Sequence, residues 1–589
     1  ADLSVDNLFV PNSLGTYYFD STADFAAGRA NQLTLANAVP SLNPQDGAAL
    51  FGAQTYSFGL QDDWQVTDSL LVTLGARYDL LGDGAPPAAN NNFLARHGFS
   101  NRATFAGRGV FQPRFGFNWE ATDRLVVRGG VGVFAGGTPN VFLSNSYSNT
   151  GQLTNQITIN RNTSPNGCDV PSTVANAATI CNDALNNLTN LATFSSAVTN
   201  FLATNVAALA NSPVNAIDPN LEVARQMRAT LSVDYDADLG PLGDGWLLGA
   251  NVLYGNVLQG YNWTDIRSVR IGTLPDGRPR YGNLAGTTGT NQDLLMTNSS
   301  LGRSYIGVVR FEKDWDNGLS IGGSYTRSDV NDQNAITSTT AGSLYNNNAM
   351  LDPNTAAYGR SNYEITDQWK FNINYRTELF GDNETRFSLF GEYRSGRPYS
   401  LTMIDSSGTS SSNRSSVLGT VGTGTNALLY VPSLNDTRVS FADPATETAF
   451  NALVAQLGLE QFRGSIVPKN SQSSPDFFKI DLHVSQELPL FVGGAKLRLF
   501  ADIENVLNLI DSDWGALRQV GFPYNAGLLN VSCLSVATPT GTTPATGVTN
   551  TASTQTCAQY RYANVRAPNE NLNSRQSLYG IRVGVRISF

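Results

Sequence analysis

Along much of the chain, hydrophobic and polar residues alternate one for one. "WKFNINYRTE" sets Trp369, Phe371, Ile373 and Tyr375 on one side and Lys370, Asn372, Asn374 and Arg376 on the other, because successive side chains of an extended chain point to opposite faces. The same period runs through "QTYSFGLQDDW", "LLVTLGARYDL", "FQPRFGFNWE", "LVVRGGVGVF", "RQMRATLSVDY", "WLLGANVLYG", "YIGVVRFEKDW", "LSIGGSYTR", "RFSLFGEYR", "FFKIDLHVSQ", "AKLRLFADIENV" and the terminal "YGIRVGVRISF". With the first, these make 13 segments of about ten residues, the length a tilted strand needs to cross a bilayer.

The connections sort into two kinds. Six are short: "QVTDS", "EATDR", "DADLGPLGDG", "DWDNG", "ELFGDNET" and "ELPLFVGG", rich in the Asp, Asn, Gly and Pro that tight turns use. They alternate with six long polar stretches, roughly 81–109, 135–224, 257–303, 328–367, 396–476 and 509–576. Strict alternation of short and long is the loop pattern of an outer-membrane barrel, whose tight turns lie on the periplasmic rim and whose large loops face outward. The expected fold is all-β, a transmembrane antiparallel β-barrel of the outer membrane of a Gram-negative bacterium, with about 13–14 strands in this chain.

The two faces of the strands differ in chemistry. Trp64, Tyr78, Trp119, Trp246, Tyr254, Trp315, Tyr325, Trp369 and Tyr393 fall near strand ends, where interfacial girdles belong. The opposite faces carry Arg77, Arg114, Arg128, Arg228, Arg376, Lys496, Arg498, Arg582 and Arg586 among Asp63, Glu120, Asp234, Glu378, Glu392, Asp481, Asp502 and Glu504. A charge at the bilayer centre costs ~2–4 kcal/mol, so this face is expected to line a wet lumen. No run of 18 apolar residues offers a membrane-spanning helix. A net charge of −10 argues against nucleic acid as a partner, leaving the bilayer and its lipopolysaccharide. The four cysteines stand as near pairs, Cys168 with Cys181 and Cys533 with Cys557, which favours two loop disulfides, although four cysteines allow three connectivities.

The last strand puts Tyr579, Ile581, Val583, Val585, Ile587 and Phe589 on one face. If it ends at the periplasm, counting back makes "QTYSFGLQDDW" run from outside to inside. Single-chain bacterial barrels have even strand numbers, so residues 1–54 are expected to begin outside, with at least one upward strand missing before them. "LGTYYFDSTADF" is a weak candidate for it. The opening "ADLSVDNLFV" lacks the basic, then apolar start of a signal peptide.

These residues resemble the C-terminal barrel part of a TonB-dependent receptor of the Oar-like subgroup. The resemblance is carried by "DNLFVPNSLGTYYFDSTADFAAGRAN", "YSFGLQDDWQVTDSLLVTLGARYD", "QPRFGFNWEATDRLVVRGGVGVFAGGTPNVFLSNSYSNTG" and "KIDLHVSQELPLFVGGAKLRLFADIENVLNLID". It implies a share of a 22-stranded barrel closed by a plug domain, with a TonB system, barrel-assembly machinery and other surface proteins as partners. It also implies that the terminal face from Tyr579 to Phe589 acts as an assembly signal. Plug, TonB-contacting segment and leading β-domain are not recognised within these residues.

Catalytic chemistry has little support. His97 and His483 lack partners at a useful spacing, and "GGVGVFAGG" runs along a strand instead of opening a phosphate-binding helix. No cofactor is expected. "DVNDQN" at 329–334 and "DPNTAAYG" at 352–359 are rich enough in oxygen to hold Ca²⁺, but they match no complete EF-hand and read as solvated loop tips. "DPATETAFNALVAQLGLEQF", with Asp443 as N-cap, and "NDALNNLTNLATFSSAVTNFLATNVAALA" read as helices, packed over the mouth or among the loops. Residues 405–426 and 535–556 read as flexible surface loops. The expected function is not enzymatic: transport of a sizeable ligand through a plugged barrel, with a passive 14–16-stranded porin and an adhesive surface barrel as alternatives.

Overall fold

Each alternating segment forms one antiparallel strand in the computed structural model, which describes all residues except 1, 9, 84, 137–138, 192, 288–290, 409–413, 490–494, 538–555 and 589. The strands are β1 (Ala49–Thr67), β2 (Leu70–Asp83), β3 (Gly109–Thr122), β4 (Leu125–Ala135), β5 (Arg225–Ala237), β6 (Trp246–Asp265), β7 (Arg303–Asp314), β8 (Leu319–Asp332), β9 (Asp367–Phe380), β10 (Asn383–Arg394), β11 (Phe477–Pro489), β12 (Lys496–Glu504) and β13 (Gly580–Ser588). Each pairs with the next in chain order. Asp68–Ser69 and Asp123–Arg124 are two-residue turns, each preceded by a β-bulge. The turn before β12 lies largely outside the described residues.

The register carries each residue type across the wall without changing face. One row runs Gln61, Gly75, Arg114, Gly132, Arg228, Gly255, Ser304. Glycines stand beside arginines here for a steric reason: a Cβ on Gly75 would lie 2.9 Å from Arg114 Cγ. A neighbouring row on the other face runs Trp64, Val72, Phe117, Gly129, Leu231, Val252. Aromatics mark both ends of that apolar face. Trp246 meets Trp315 edge-on at 5.8 Å near the turns, while Tyr254 meets Tyr305 at 5.0 Å and Tyr325 meets Trp369 at 4.3 Å nearer the loops. From Trp246 to Tyr254 is ~26 Å along the strand at about 3.3 Å per residue. At a tilt of about 40° this spans ~20 Å of bilayer, close to the ~25 Å apolar band of such barrels.

The two outer strands are exposed on both faces, β1 from Tyr56 to Thr67 and β13 at all but Gly580 and Gly584. Among the described residues no register joins β13 to β1. The upper edge of β1 is taken by Asp2–Asn7, antiparallel to Ala49–Gln54. "LGTYYFDSTADF" adds no strand to the wall: Thr16–Tyr18 pairs with Gln32–Ala38, and Thr22–Ala26 is a helix capped by Ser21.

The long connections are folded. One body packs the sheet of Thr16–Tyr18, Gln32–Ala38 and Thr154–Asn160 against helices α1 (Ala177–Leu185) and α2 (Ser196–Thr204), around Leu33, Ile159, Leu185 and Leu202. The long helix expected here is two, because the chain turns at Asn187, where φ is positive. A second body has a sheet of Ala427–Leu428, Pro398–Ile404, Asn525–Leu534, Gln559–Ala563 and Val439–Phe441, with helix α3 (Pro444–Gln456) packed on it. Asp443 caps α3 by accepting Thr446 N at 2.7 Å, and Phe450, Leu453 and Val454 are buried among the loops.

Residues 414–423 are a correction to the reading of 405–426 as a flexible surface loop, since Ser415, Val417, Leu418, Thr420 and Val421 are buried. The Asp405 carboxylate takes the place of water there, accepting Ser415 Oγ at 2.7 Å and Val417 N at 2.9 Å. Most of 535–556 lies outside the described residues.

The face assignment predicts unequal costs for one charge at adjacent positions. Val252→Arg, on the apolar face, is expected to destabilise the protein in lipid vesicles by ~2–4 kcal/mol, while Asn251→Arg on the polar face costs far less; urea unfolding from vesicles measures both.

Candidate functional site

The polar face is laced by ion pairs between neighbouring strands. Asp234 on β5 is held by Arg128 from β4 at 2.7 Å and Arg310 at 2.5 Å. Asp502 on β12 is shared by His483 Nδ1 of β11 at 2.5 Å and Arg582 of β13 at 2.9 Å. Glu487 takes Lys496 at 2.8 Å and Arg498 at 2.5 Å, and Arg498 also reaches Glu384 at 3.2 Å. Arg77 lies 2.7 Å from Asp79, which Gln112 also contacts at 2.6 Å. Arg114, Arg376 and Arg586 share this face by register. Most of these groups are half-exposed, so each pair contributes only about 0–1 kcal/mol. Their consequence is chemical: a wall of both charge signs that a polar solute can follow, backed by an apolar face against lipid.

Above the membrane-spanning part the loops are welded by a buried carboxylate. Asp293 is wholly buried. It receives Arg267 Nε at 3.0 Å and Nη2 at 2.8 Å, Arg96 Nε at 3.1 Å, His97 Nε2 at 2.8 Å and Val214 N at 3.0 Å. The parallel pairing of Val214–Ile217 with Asp293–Met296 sets the carboxylate there. Burial alone would raise its pKa, but hydrogen bonds from His97 and Arg267 and the charges of Arg267 and Arg96 outweigh burial and hold it below the usual range. Asp265, nearby, has less help: burial dominates over Ser268, Arg414 and the backbone N–H groups of Arg267 and Asp293, and its pKa rises to about 6. Beside these loops, at the top of β4, β5 and β6, a cavity of about 270 Å³ is lined by Phe134, Gln226, Val257, Tyr261, Leu301 and Gln333. Gln333 donates Nε2 to Tyr261 O at 3.1 Å, while its buried Oε1 has no partner among the described residues.

Cys168 is bonded to Cys181 and Cys533 to Cys557, one disulfide in each loop body. Tyr579, Ile581, Val583, Val585 and Ile587 are exposed on the apolar face of β13's end of the wall; Phe589 lies outside the described residues. The two oxygen-rich stretches are not the solvated tips they were expected to be, because Gln333 and Asn334 are buried, Asp332 binds Lys469 at 2.8 Å and Asp352 accepts Tyr281 Oη at 2.7 Å. No three His, Cys, Asp or Glu side chains converge as metal ligands would among the described residues. Both histidines have carboxylate partners that spacing hides: Asp293 lies 196 positions from His97.

An antiparallel wall with one apolar and one charged face, girdled by aromatics and carrying folded loops on one rim, defines an integral protein of the bacterial outer membrane. Residues 3–512 match the family described as outer membrane beta barrel domain, and the chain belongs to that family. No curated protein sequence matches it. Among solved structures it is similar to the siderophore receptor PirA from Pseudomonas aeruginosa, at 9% identity and TM-score 0.33 over 86% of this chain and 53% of that one. It is also similar to the outer membrane transporter YddB from Escherichia coli, at 10% identity and TM-score 0.42 over 86% and 46%, and to a mutant of the ferric enterobactin receptor PfeA from Pseudomonas aeruginosa, at 8% and 0.39 over 99% and 50%. The chain spans about half the length of these proteins.

Asp265 predicts a pH dependence of definite sign. A carboxyl whose folded pKa is raised binds more protons folded than unfolded between the ordinary value near 4 and about 6. Its contribution therefore weakens as pH rises through that window and levels off above it. Asp293, held low, acts with the opposite sign and only below pH ~4. Melting followed from pH 4 upward is expected to show a decline in wild type that Asp265→Asn flattens; an unchanged decline contradicts the assignment.

Proposed function

We propose that this wall serves an outer-membrane transporter of the TonB-dependent kind, in the Oar-like subgroup, moving a sizeable ligand across the outer membrane. The observation that carries the reading is the continuity between a charged, cross-paired strand face and a folded loop rim containing cavities: the rim offers a place of capture and the face a hydrated route. By the resemblance, further strands lie along the free edges of β1 and β13, a plug domain fills the lumen, and a TonB system displaces the plug. The exposed apolar side chains of β13 then suit two roles, facing lipid and being recognised during assembly. Open strand edges are costly in lipid, which supports a wall completed by additional strands.

The reading is tested on protein extracted from its native membrane, with KCl in planar bilayers and retention on the immobilised periplasmic domain of the host's TonB. Silent bilayers together with retention are the expected result. Steady open-pore steps in KCl without retention would contradict it and identify a passive porin; silence without retention would contradict it in favour of an adhesive barrel.

A further inference from the structure

Where β10 and β11 rise out of the wall, Arg394 ends one strand directly opposite Phe477 at the start of the next. The Arg394 guanidinium lies over the Phe477 ring, 5.1 Å from its centre. Three residues on, the Arg397 guanidinium is held between Tyr524, at 4.5 Å, and Tyr363, at 5.4 Å. Both arginines line a cavity of about 310 Å³ on the loop side of the polar face, together with Gln519, Asn573 and Gln576.

The charges in this cavity do not balance. Arg394 has neither a carboxylate nor a hydrogen-bond partner among the described residues, and Arg397 donates only to Asn362 O, at 3.1 Å. Glu364 also lines the cavity, but Arg360 binds one of its oxygens at 2.7 Å and Val330 N donates to the other at 2.7 Å. Asp476, close by, accepts Tyr393 Oη at 2.5 Å and Gly396 N at 3.0 Å. Elsewhere on the polar face Arg128, Arg310, Arg498 and Arg582 are neutralised by carboxylates, while Arg114, Arg376 and Arg586 share that face by register. Here two are held in place by aromatic faces instead, which fix a guanidinium while leaving its N–H edge free.

We propose that Arg394 and Arg397 form an oxyanion-binding subsite at the loop-side mouth, taking the carboxylate or phosphate group of a soluble ligand. A planar guanidinium presents paired N–H donors that match both groups, and the neutral amides around it can donate without adding competing negative charge. The subsite concerns binding alone and does not depend on energy-coupled transport: an energised transporter, a porin and an adhesin could each carry it.

The test is calorimetric titration of the whole detergent-solubilised protein with citrate and, separately, inorganic phosphate. Wild type is expected to bind at least one of the two, more weakly as NaCl is raised. Arg394→Gln and Arg397→Gln are each expected to weaken binding roughly tenfold or more, since hydrogen bonds to charged groups are worth about 1.5–3 kcal/mol, with partial recovery in Arg394→Lys. Arg29→Gln, at an exposed pair with Asp24, is the control. Intact disulfides and an unchanged melting temperature show that the variants are folded. Absence of binding by wild type, unchanged affinity in both Gln variants, or an equal loss in Arg29→Gln would overturn the proposal.

Discussion

Inside a bilayer no water is available to a backbone N–H or C=O, so each must find its partner in the chain. Everything else in this molecule follows from how that demand is met. Pairing each strand with the next along the chain satisfies the groups between them, and the pairing fixes register. Register in turn fixes parity, because a slip of one residue would exchange the two faces along a whole strand. Arg114, Gly132, Arg228 and Gly255 can share one row only because the strands between β2 and β7 hold a common register. At Gly75, where a Cβ would lie 2.9 Å from Arg114 Cγ, glycine beside arginine is then a packing requirement of the row.

The same demand is met differently above the membrane. Long polar connections cannot bury enough apolar surface by alternation, and here they fold around small cores joined by buried polar groups. Asp293 gathers two guanidiniums, an imidazole and a backbone N–H from segments distant in sequence, and Asp405 organises a serine-rich turn that would otherwise be solvated. One disulfide sits in each loop body. The rim is thus a built surface able to present a cavity of fixed shape to a solute.

The wall was legible because its code is local. A two-residue period, loop lengths that alternate and aromatics near strand ends each reveal themselves within ten or twenty residues, and the turn-side strand ends lie close to those the pattern suggests, whereas on the loop side β6 runs on from Gly255 to Asp265 and β1 begins at Ala49, before Gln54. The capping of α3 by Asp443 followed local rules as well. What escaped reading depends on contacts between distant segments. Nothing near His97 announces Asp293, nothing in "SSVLGTVG" announces burial, and the break between α1 and α2 turns on one asparagine at positive φ. The segment 16–18 has strand character, but its partner, residues 32–38, lies in a loop body and not in the wall, a choice local pattern cannot make.

The central claim is that one strand face meets lipid while the other meets water. Because all four cysteines are in disulfides, single cysteines introduced from Leu247 to Tyr254 on β6 would carry spin labels without competition from native thiols. Power saturation in lipid vesicles then reports access to oxygen, which favours lipid, and to a water-soluble nickel chelate. The account predicts two alternating profiles in antiphase: Leu248, Ala250, Val252 and Tyr254 reached by oxygen, Leu247, Gly249, Asn251 and Leu253 by nickel. A flat profile, or nickel access at every position, would contradict it.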